Sequence, residues 1–331
     1  MMLAPSKPHS PIQAIRGPVL SELEAVNDLI VANLESDVGL VENIGHYIVE
    51  AGGKRLRPLL ALLSASACGY RGDDHIKFAA VVEFIHTATL LHDDVVDISE
   101  LRRGRPTANA EFGNAPSVLV GDFLYSRAFQ LLVAIGNMDI MRDMANTTNE
   151  IAAGEVLQLV RAGNPETTEV DYLDVIRRKT AILFASACYG GATLSDARAD
   201  YAAPLASYGD NIGIAFQIVD DVLDYEGDPG VMGKNVGDDL SEGKPTLPLI
   251  HVLREGNEAQ RQVVTRAIRE KTADDIDAVL DAVRGTGALD YAREQAHGFR
   301  ARALDSLETL PASESLDALY AVAELALARD H

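Results

Sequence analysis

The amino-acid sequence predicts an all-α protein that folds as one large domain. Apolar residues recur at three- and four-residue spacing through nearly every segment, which is the pattern of amphipathic helices. No convincing pair of strands interrupts this pattern. With 331 residues, 47% of them hydrophobic, the chain is long and apolar enough to bury a large core.

The helical periodicity begins at residue 20. Residues 1–19 contain prolines and charges, and we expect them to be irregular. Clusters of Gly, Pro and Asp separate the later periodic segments, but none of them is long or polar enough to be an interdomain linker. Residues 20–331 are therefore predicted to form a single all-α domain. The predicted helices cover 20–48, 58–68, 76–95, 117–135, 141–160, 170–189, 196–225, 247–254 and 258–271, with shorter helices to residue 328.

The charge balance excludes several classes of function. Lys and Arg number 29 and Asp and Glu number 50, so the net charge of −21 repels nucleic acid and anionic lipid surfaces. Cys68 and Cys188 lie in small apolar stretches without metal-ligand spacing and are expected to be buried thiols in a reducing compartment. The N-terminus lacks the apolar core of a signal peptide, and the apolar windows are too short to span a bilayer. We expect a soluble cytoplasmic protein without stable membrane insertion.

The first chemically distinctive motif is Asp93-Asp94-Val95-Val96-Asp97. On a helix, Asp93 and Asp97 lie one turn apart on the same face, and Asp94 lies about 100° round the axis. Oxygen ligands of this kind suit Mg²⁺. A solvated helix face is the alternative, but the apolar helix wall that precedes the motif argues against it.

A second acidic motif, Asp220-Asp221-Val222-Leu223-Asp224, follows another apolar stretch. Together with Gln217, its aspartates fall at i, i+3, i+4 and i+7, which makes one polar stripe on an otherwise buried helix. Burying this much charge unpaired would be prohibitive. Two such stripes are best explained if they face each other across metal ions.

Cations stand where a bound diphosphate would need them. Lys54 and Arg57, in GGKRLRP, lie three residues apart at a predicted helix start, where free N–H groups also favour an anion. An ordinary helix cap is the alternative for this pair, and the spacing of a nucleotide-binding phosphate loop is absent. Further cations flank the acidic motifs: Arg102, Arg103, Lys179, Lys234 and Lys244.

These motifs closely resemble those of the trans-polyprenyl diphosphate synthases. The resemblance runs from about residue 20 to the C-terminus, and the first acidic motif is most similar to that of the long-chain octaprenyl, solanesyl and decaprenyl enzymes of quinone side-chain synthesis. It implies an isoprenoid-synthase bundle around a central apolar cavity. The segments that carry it are GGKRLRP, EFIHTATLLHDDVVD, LRRGRPTAN, GDFLYSRAFQLL, RRKTA, FQIVDDVLDYEGD and GKNVGDDLSEGKPTLPL.

The resemblance also implies roles for individual residues. The Mg²⁺ ligands that would grip an allylic diphosphate are Asp93, Asp94, Asp97, Asp220, Asp221 and Asp224. The groups that would ease departure of that diphosphate are Arg102, Lys179, Thr180, Gln217, Lys234 and Lys244. The groups that would hold isopentenyl diphosphate are Lys54, Arg57, His86 and Arg103. Glu155 and Gln158 stand where relatives often have Gln and Asp, which leaves their role open.

The family mechanism needs no protein nucleophile. Metal ions and cations neutralise the leaving diphosphate, an allylic cation forms, and the isopentenyl double bond attacks it. The implied starter is farnesyl or geranyl diphosphate, and the implied cofactor is Mg²⁺. His86 is better explained as a hydrogen-bond donor to diphosphate than as a base, and a buried core histidine is the alternative. A homodimer is expected, because the family usually dimerises and several helices are too apolar for a free surface.

Product length is expected to depend on the wall below the metals. Ala88 and Thr89 are small, so nothing at this level blocks a growing prenyl chain. Three alternatives stay open. A short- or medium-chain synthase would share every motif except these small residues, a terpene cyclase would not need Lys54, Arg57 or a second aspartate motif, and a non-catalytic subunit would be expected to lose metal ligands.

Overall fold

A computed structural model describes residues 11–50, 52–102, 104–195, 200–226 and 237–328. The all-α prediction is confirmed. The helices are α1 Pro11–Arg16, α2 Leu20–Leu34, α3 Gly39–Glu50, α4 Leu56–Ala67, α5 Asp74–Val96, α6 Ala108–Phe112, α7 Asn114–Ile135, α8 Met138–Arg161, α9 Glu169–Ile176, α10 Ile182–Thr193, α11 Ala202–Glu226, α12 Asp238–Ser241, α13 Leu247–Glu255, α14 Glu258–Glu270, α15 Ile276–Gly285, α16 Ala288–Leu307 and α17 Glu314–Leu327.

Residues 11–19 are more ordered than expected, and residues 1–10 lie outside the described residues. Helix α1 starts at Pro11, and a 3₁₀ turn, Gly17–Val19, joins it to α2. Proline suits the first position of a helix, because its missing N–H has no partner there in any case. Ile15 and Val19 are buried in the core, so this segment is part of the domain rather than an irregular leader.

The predicted helix 20–48 is broken into α2 and α3. The backbone leaves the helix at Glu35, where ψ is 129°. Side-chain oxygens accept hydrogen bonds from the backbone after the break. Ser36 N–H donates to Glu42 Oε1 at 3.1 Å, and Val38 N–H donates to Ser36 Oγ at 3.1 Å. Such local side-chain bonds compete with helix continuation.

Two more features differ from the sequence-based expectation. The predicted helix 170–189 consists of α9, a π-helical turn at Arg177–Ala181, and α10. A short antiparallel hairpin, β1 Leu101–Arg102 with β2 Arg105–Pro106, follows α5 and was not predicted. The start of the predicted helix 196–225 lies outside the described residues, and α11 is described from Ala202.

Helix α10 lies inside the bundle and contacts α4, α5, α8 and α11. Small residues allow this close packing. Gly191 is an example, because a Cβ atom there would lie 2.3 Å from the carbonyl oxygen of Ala61 in α4. The two cysteines are buried thiols that form no disulfide, as expected.

Among the described residues, one helix is long and apolar enough to cross a membrane by length and composition alone. This helix is α7, and 28% of its most apolar window is buried inside the protein. Its inner face packs along α5 through residues such as Val120 and Leu124. Its outer face is therefore apolar surface that the described part of one chain leaves uncovered.

Replacing Gly191 by Ala should destabilise the fold. The added methyl group would meet backbone rather than a flexible side chain, and overpacking of this kind costs about 1–3 kcal/mol. The measurement is urea unfolding, with Gly39→Ala as the control, because a Cβ at Gly39 meets nothing within 4 Å. Equal stability of Gly191→Ala and the parent protein would contradict the close contact between α10 and α4.

Candidate active site

Helix α5 presents two of its three motif aspartates to lysines from later in the chain. Lys179 Nζ lies 3.8 Å from Asp93 Oδ2, and Lys244 Nζ lies 3.3 Å from Asp97 Oδ2. Asp94 is turned away, as the 100° step per residue requires, and is buried. Its Oδ1 accepts two hydrogen bonds from Arg102, one from Nη2 at 2.7 Å and one from Nε at 2.9 Å. Arg102 is held in this position by the hairpin.

Lys179 lies on the π-helical turn and joins α5 to α8. Its Nζ donates to Glu155 Oε2 at 2.7 Å, so one ammonium group serves Glu155 and Asp93. Gly154 makes this approach possible, because a Cβ there would lie 2.9 Å from the backbone nitrogen of Lys179. Glu155, whose role the sequence left open, is thus a direct partner of a predicted cation.

Lys244 joins α5 to the segment after α12. Besides Asp97, it contacts Asp239 at 4.0 Å and forms an ion pair with Glu242. The backbone of this segment is held by the loop after α8, since Gly163 N–H donates to Gly243 O at 2.8 Å. Asp239 and Glu242 belong to the GKNVGDDLSEGKPTLPL segment, where their spacing gave no indication of a contact with Lys244.

On α11 the predicted polar stripe forms a hydrogen-bonded chain. Thr180 Oγ1 donates to Gln217 Oε1 at 2.9 Å, and Gln217 Nε2 donates to Asp221 Oδ1 at 2.8 Å. The other oxygen of Asp221 accepts from the hydroxyl of Tyr172 at 2.7 Å. Asp221 and Asp224 are buried, and Asp220 is half-buried.

An open cleft lies beside these groups. Five predicted site residues line it: Lys179, Thr180, Gln217, Asp221 and Lys244. The rest of the lining comes from Gln158, Arg161, Thr167, Tyr172, Val175, Ile176, Asp239, Pro245 and Thr246. The cleft therefore lies between α8, α9, the π-helical turn, α11 and the segment that follows α12.

The carboxylates of the site outnumber its cations. Asp93, Asp97, Glu155, Asp239 and Glu242 share Lys179 and Lys244. Burial raises the pKa of Asp93 above its usual value. Burial and the charge of Asp93 raise the pKa of Glu155 to about 7, and burial and the charge of Asp239 raise the pKa of Asp221 to about 8. The site is therefore short of positive charge.

The residues fit a hard divalent cation. Glu155 Oε1 is buried and accepts no hydrogen bond, and the available donors are carboxylate oxygens, which suit Mg²⁺. Among the described residues, however, no three His, Cys, Asp or Glu side chains form a ready-made cage. Mg²⁺ commonly binds through one or two carboxylates together with waters and substrate phosphates, so this open arrangement suits it.

The cations predicted for the second substrate lie at the start of α4. Arg57 Nη1 lies 3.2 Å from His86 Nε2 on α5, and the Arg57 guanidinium lies 4.3 Å from the ring centre of Phe184. The side chain of Lys54 is exposed, while its carbonyl accepts from Arg16 at 2.9 Å. His86 is thus the neighbour of a cation rather than an isolated core histidine. Arg103 and Lys234 lie outside the described residues.

The two small residues on α5 differ in their surroundings. Thr89 precedes Asp93 by one turn on the same face and is half-buried, with Oγ1 donating to His86 O at 2.8 Å. Ala88 is fully buried, and helical geometry turns it about 140° away from Asp93. The structure therefore places Thr89 directly below the carboxylates, and Ala88 among packed core side chains.

The chain was compared with known proteins. The family model "Polyprenyl synthetase" matches residues 38–284. Octaprenyl diphosphate synthase of Escherichia coli K12 is 46% identical over 93% of this chain and 96% of its own length. An all-trans-nonaprenyl-diphosphate synthase of Rhodobacter capsulatus is 47% identical over 96% of this chain and 98% of its own.

Solved structures give the same result. A polyprenyl synthase from Caulobacter crescentus, complexed with calcium and isoprenyl diphosphate, superposes with a TM-score of 0.93 and 41% identity, covering 99% of this chain and 100% of its own. A decaprenyl diphosphate synthase from Rhodobacter capsulatus superposes with a TM-score of 0.90 and 44% identity, covering 96% of this chain and 98% of its own. The chain belongs to the polyprenyl synthetase family and is a prenyltransferase.

Proposed function

We propose that the protein extends an allylic diphosphate, farnesyl or geranyl diphosphate, by repeated head-to-tail condensation with isopentenyl diphosphate. The product would be a long-chain all-trans polyprenyl diphosphate for quinone side chains. The observation that carries the proposal is the cleft in which Lys179 and Lys244 meet carboxylates from α5, α8 and the segment after α12. The relatives that make octaprenyl and nonaprenyl products, by their names, support the long-chain product.

The carboxylates of the two aspartate motifs would hold Mg²⁺, with Asp93 and Asp97 on one side and Asp220, Asp221 and Asp224 on the other. Asp94, which the resemblance also implies as a ligand, instead holds Arg102 in this structure. When bound, the metal supplies positive charge to the departing diphosphate. The chain's own cations add to this charge. Lys179, Lys244 and Lys234 would bind the allylic diphosphate, and Arg102 would support it from the hairpin. Gln217 would donate its second amide hydrogen to an oxygen of the diphosphate, and Thr180 would help by holding the Gln217 amide in place.

Isopentenyl diphosphate would bind separately, on Lys54, Arg57, His86 and Arg103. In each cycle the allylic C–O bond breaks, the isopentenyl double bond forms the new C–C bond, and a proton passes to the released diphosphate. No side-chain nucleophile takes part. This agrees with the buried Cys188 thiol, whose pKa is raised to about 12 by burial.

We also propose that the protein acts in the cytoplasm as a homodimer, and the uncovered apolar side chains of α7 and α8 support the dimer. These side chains are Val118, Leu119, Val133, Met138, Val156, Leu159 and Val160. An exposed apolar patch on two successive helices suits a twofold interface, in which the same patch of both copies is covered. Light scattering at micromolar concentration should give twice the chain mass of 35.5 kDa. Val133→Asp should shift the protein towards monomer, whereas Val170→Asp, at an exposed valine on α9, should not.

The direct test of the proposed reaction is incubation of the purified protein with Mg²⁺, farnesyl diphosphate and isopentenyl diphosphate, followed by sizing of the products. Long-chain polyprenyl diphosphates are expected. A product that stops at farnesyl or geranylgeranyl length would replace the long-chain assignment by a short-chain one. A cyclised hydrocarbon, or no product, would overturn the proposed reaction.

Asp93→Ala and Asp220→Ala should each lower turnover by about 10³-fold or more, because each removes a carboxylate from a cluster that acts as a unit. Lys54→Ala should mainly raise the KM for isopentenyl diphosphate. Steady-state kinetics at saturating Mg²⁺ measures both effects. Asp281→Ala, at an exposed aspartate on α15, is the control and should leave the kinetics unchanged. Near-normal turnover of either aspartate variant would show that the metal assignment is wrong.

Thr89→Phe should shorten the main product towards farnesyl or geranylgeranyl length, whereas Ala88→Phe, which adds a ring among packed core side chains, should mainly destabilise the fold. An aromatic ring one turn below Asp93 would narrow the space available to the growing prenyl chain. Overpacking of this kind costs about 1–3 kcal/mol, which disfavours further extension of the chain. Product chromatography is the measurement, with a thermal scan to check the buried Ala88 site. Thr89→Val keeps the volume and should keep the product length. Full-length product from a folded Thr89→Phe variant would show that this wall does not set chain length.

A further inference from the structure

Tyr172 is a residue that the sequence gave no reason to select. Its side chain is buried, with 5% exposure, and its hydroxyl donates to Asp221 Oδ2 at 2.7 Å. Gln217 Nε2 donates to the other oxygen, Oδ1, at 2.8 Å. Each oxygen of Asp221 therefore accepts a bond from a different neutral donor, one on α9 and one on α11, and the carboxylate plane is fixed between the two helices.

The fixed carboxylate also fixes the groups beyond it. Because Gln217 uses its nitrogen on Asp221, its oxygen faces the other way and accepts from Thr180 Oγ1 at 2.9 Å. Thr180 follows Lys179 on the π-helical turn, and both line the same cleft as Asp221. A continuous chain of hydrogen bonds thus runs from Tyr172 through Asp221 and Gln217 to Thr180.

Helix α9 is held firmly enough to act as a support. Its first turn has a capping box between Thr168 and Asp171. Glu169 accepts from the hydroxyl of Tyr291 at 2.7 Å and from Arg254 Nη1 at 3.0 Å, which ties the start of α9 to α16 and α13. These contacts fix the start of α9 on two other helices, so the hydroxyl of Tyr172 is presented to Asp221 from a supported element.

We propose that Tyr172 is a positioning residue for the allylic half of the site: its hydroxyl orients Asp221 and, through Gln217, the hydroxyl of Thr180. The proposal rests on the proposed function, in which these three side chains face the allylic diphosphate and its metal. Outer partners of this kind typically contribute about 10- to 100-fold in metal affinity or activity. The isopentenyl diphosphate side, at Arg57 and His86, has no link to this chain through the hydrogen bonds described above.

The test is Tyr172→Phe, which removes the hydroxyl and keeps the ring. The matched control is Tyr208→Phe, because Tyr208 is also a fully buried tyrosine, and its hydroxyl donates to Leu319 O at 2.7 Å, away from the aspartate motifs. Both variants lose one buried hydrogen bond. Thermal unfolding, the kinetic constants for each substrate, and Mn²⁺ binding are measured on the full chain. Mn²⁺ binding is followed by electron paramagnetic resonance with farnesyl thiodiphosphate, an analogue that resists ionisation.

For Tyr172→Phe, kcat/KM for the allylic diphosphate and the affinity for Mn²⁺ should each fall by about 10- to 100-fold, while the KM for isopentenyl diphosphate stays unchanged. Tyr208→Phe should match the parent protein in all three quantities. If Tyr172→Phe does not fold, Gln217→Leu is the second variant, because it removes the other donor to Asp221. It should likewise lower kcat/KM for the allylic diphosphate and leave the KM for isopentenyl diphosphate unchanged.

Two kinds of failure can be told apart. The positioning role would be overturned if Tyr172→Phe had the same kinetic constants and Mn²⁺ affinity as Tyr208→Phe. It would also be overturned if Gln217→Leu lowered kcat/KM equally for both substrates. In both cases the proposed function would stand. A parent protein that forms no prenyl product and binds no Mn²⁺ with the analogue would overturn the proposed function itself.

Discussion

Two largely buried lysines hold the candidate site together. Lys179 and Lys244 connect Asp93 and Asp97 on α5 with acidic groups that lie far away in sequence, Glu155 on α8 and Glu242 after α12. Removing one member of a buried ion pair typically costs about 3–5 kcal/mol, because the other charge is left without compensation. The position of α5 relative to α8 and the segment after α12 therefore depends on these two side chains.

The same pairs explain how a strongly acidic protein can bind a diphosphate. The net charge of −21 would repel such a ligand from most of the surface. Lys179 and Lys244 line the cleft, however, and the carboxylates that contact them are groups that suit a divalent cation. When a diphosphate binds together with Mg²⁺, the diphosphate would neutralise the lysines and the Mg²⁺ would neutralise the carboxylates. Substrate and metal binding are then expected to be mutually dependent.

Much of this arrangement could be predicted from the sequence, because local helical spacing determines it. The i, i+3, i+4 and i+7 positions of Gln217, Asp220, Asp221 and Asp224 define a stripe on any helix. Contacts between distant segments carry no such signal. The pairing of Arg57 with His86 and the bond from Tyr172 to Asp221 depend on how helices pack, and nothing in their local sequence indicates it. The break between α2 and α3 was missed because the apolar periodicity continues across it, while the side chains of Ser36 and Glu42 end the helix.

Isothermal titration of the intact protein with Mg²⁺, with and without inorganic pyrophosphate, tests the mutual dependence of metal and diphosphate most directly. We expect weak Mg²⁺ binding to the protein alone, since Lys179 and Lys244 already neutralise part of the carboxylate charge, and binding at least about tenfold tighter when pyrophosphate is present. Mg²⁺ affinity that is the same with and without pyrophosphate would contradict a site in which lysines and carboxylates are completed together by the diphosphate and its metal.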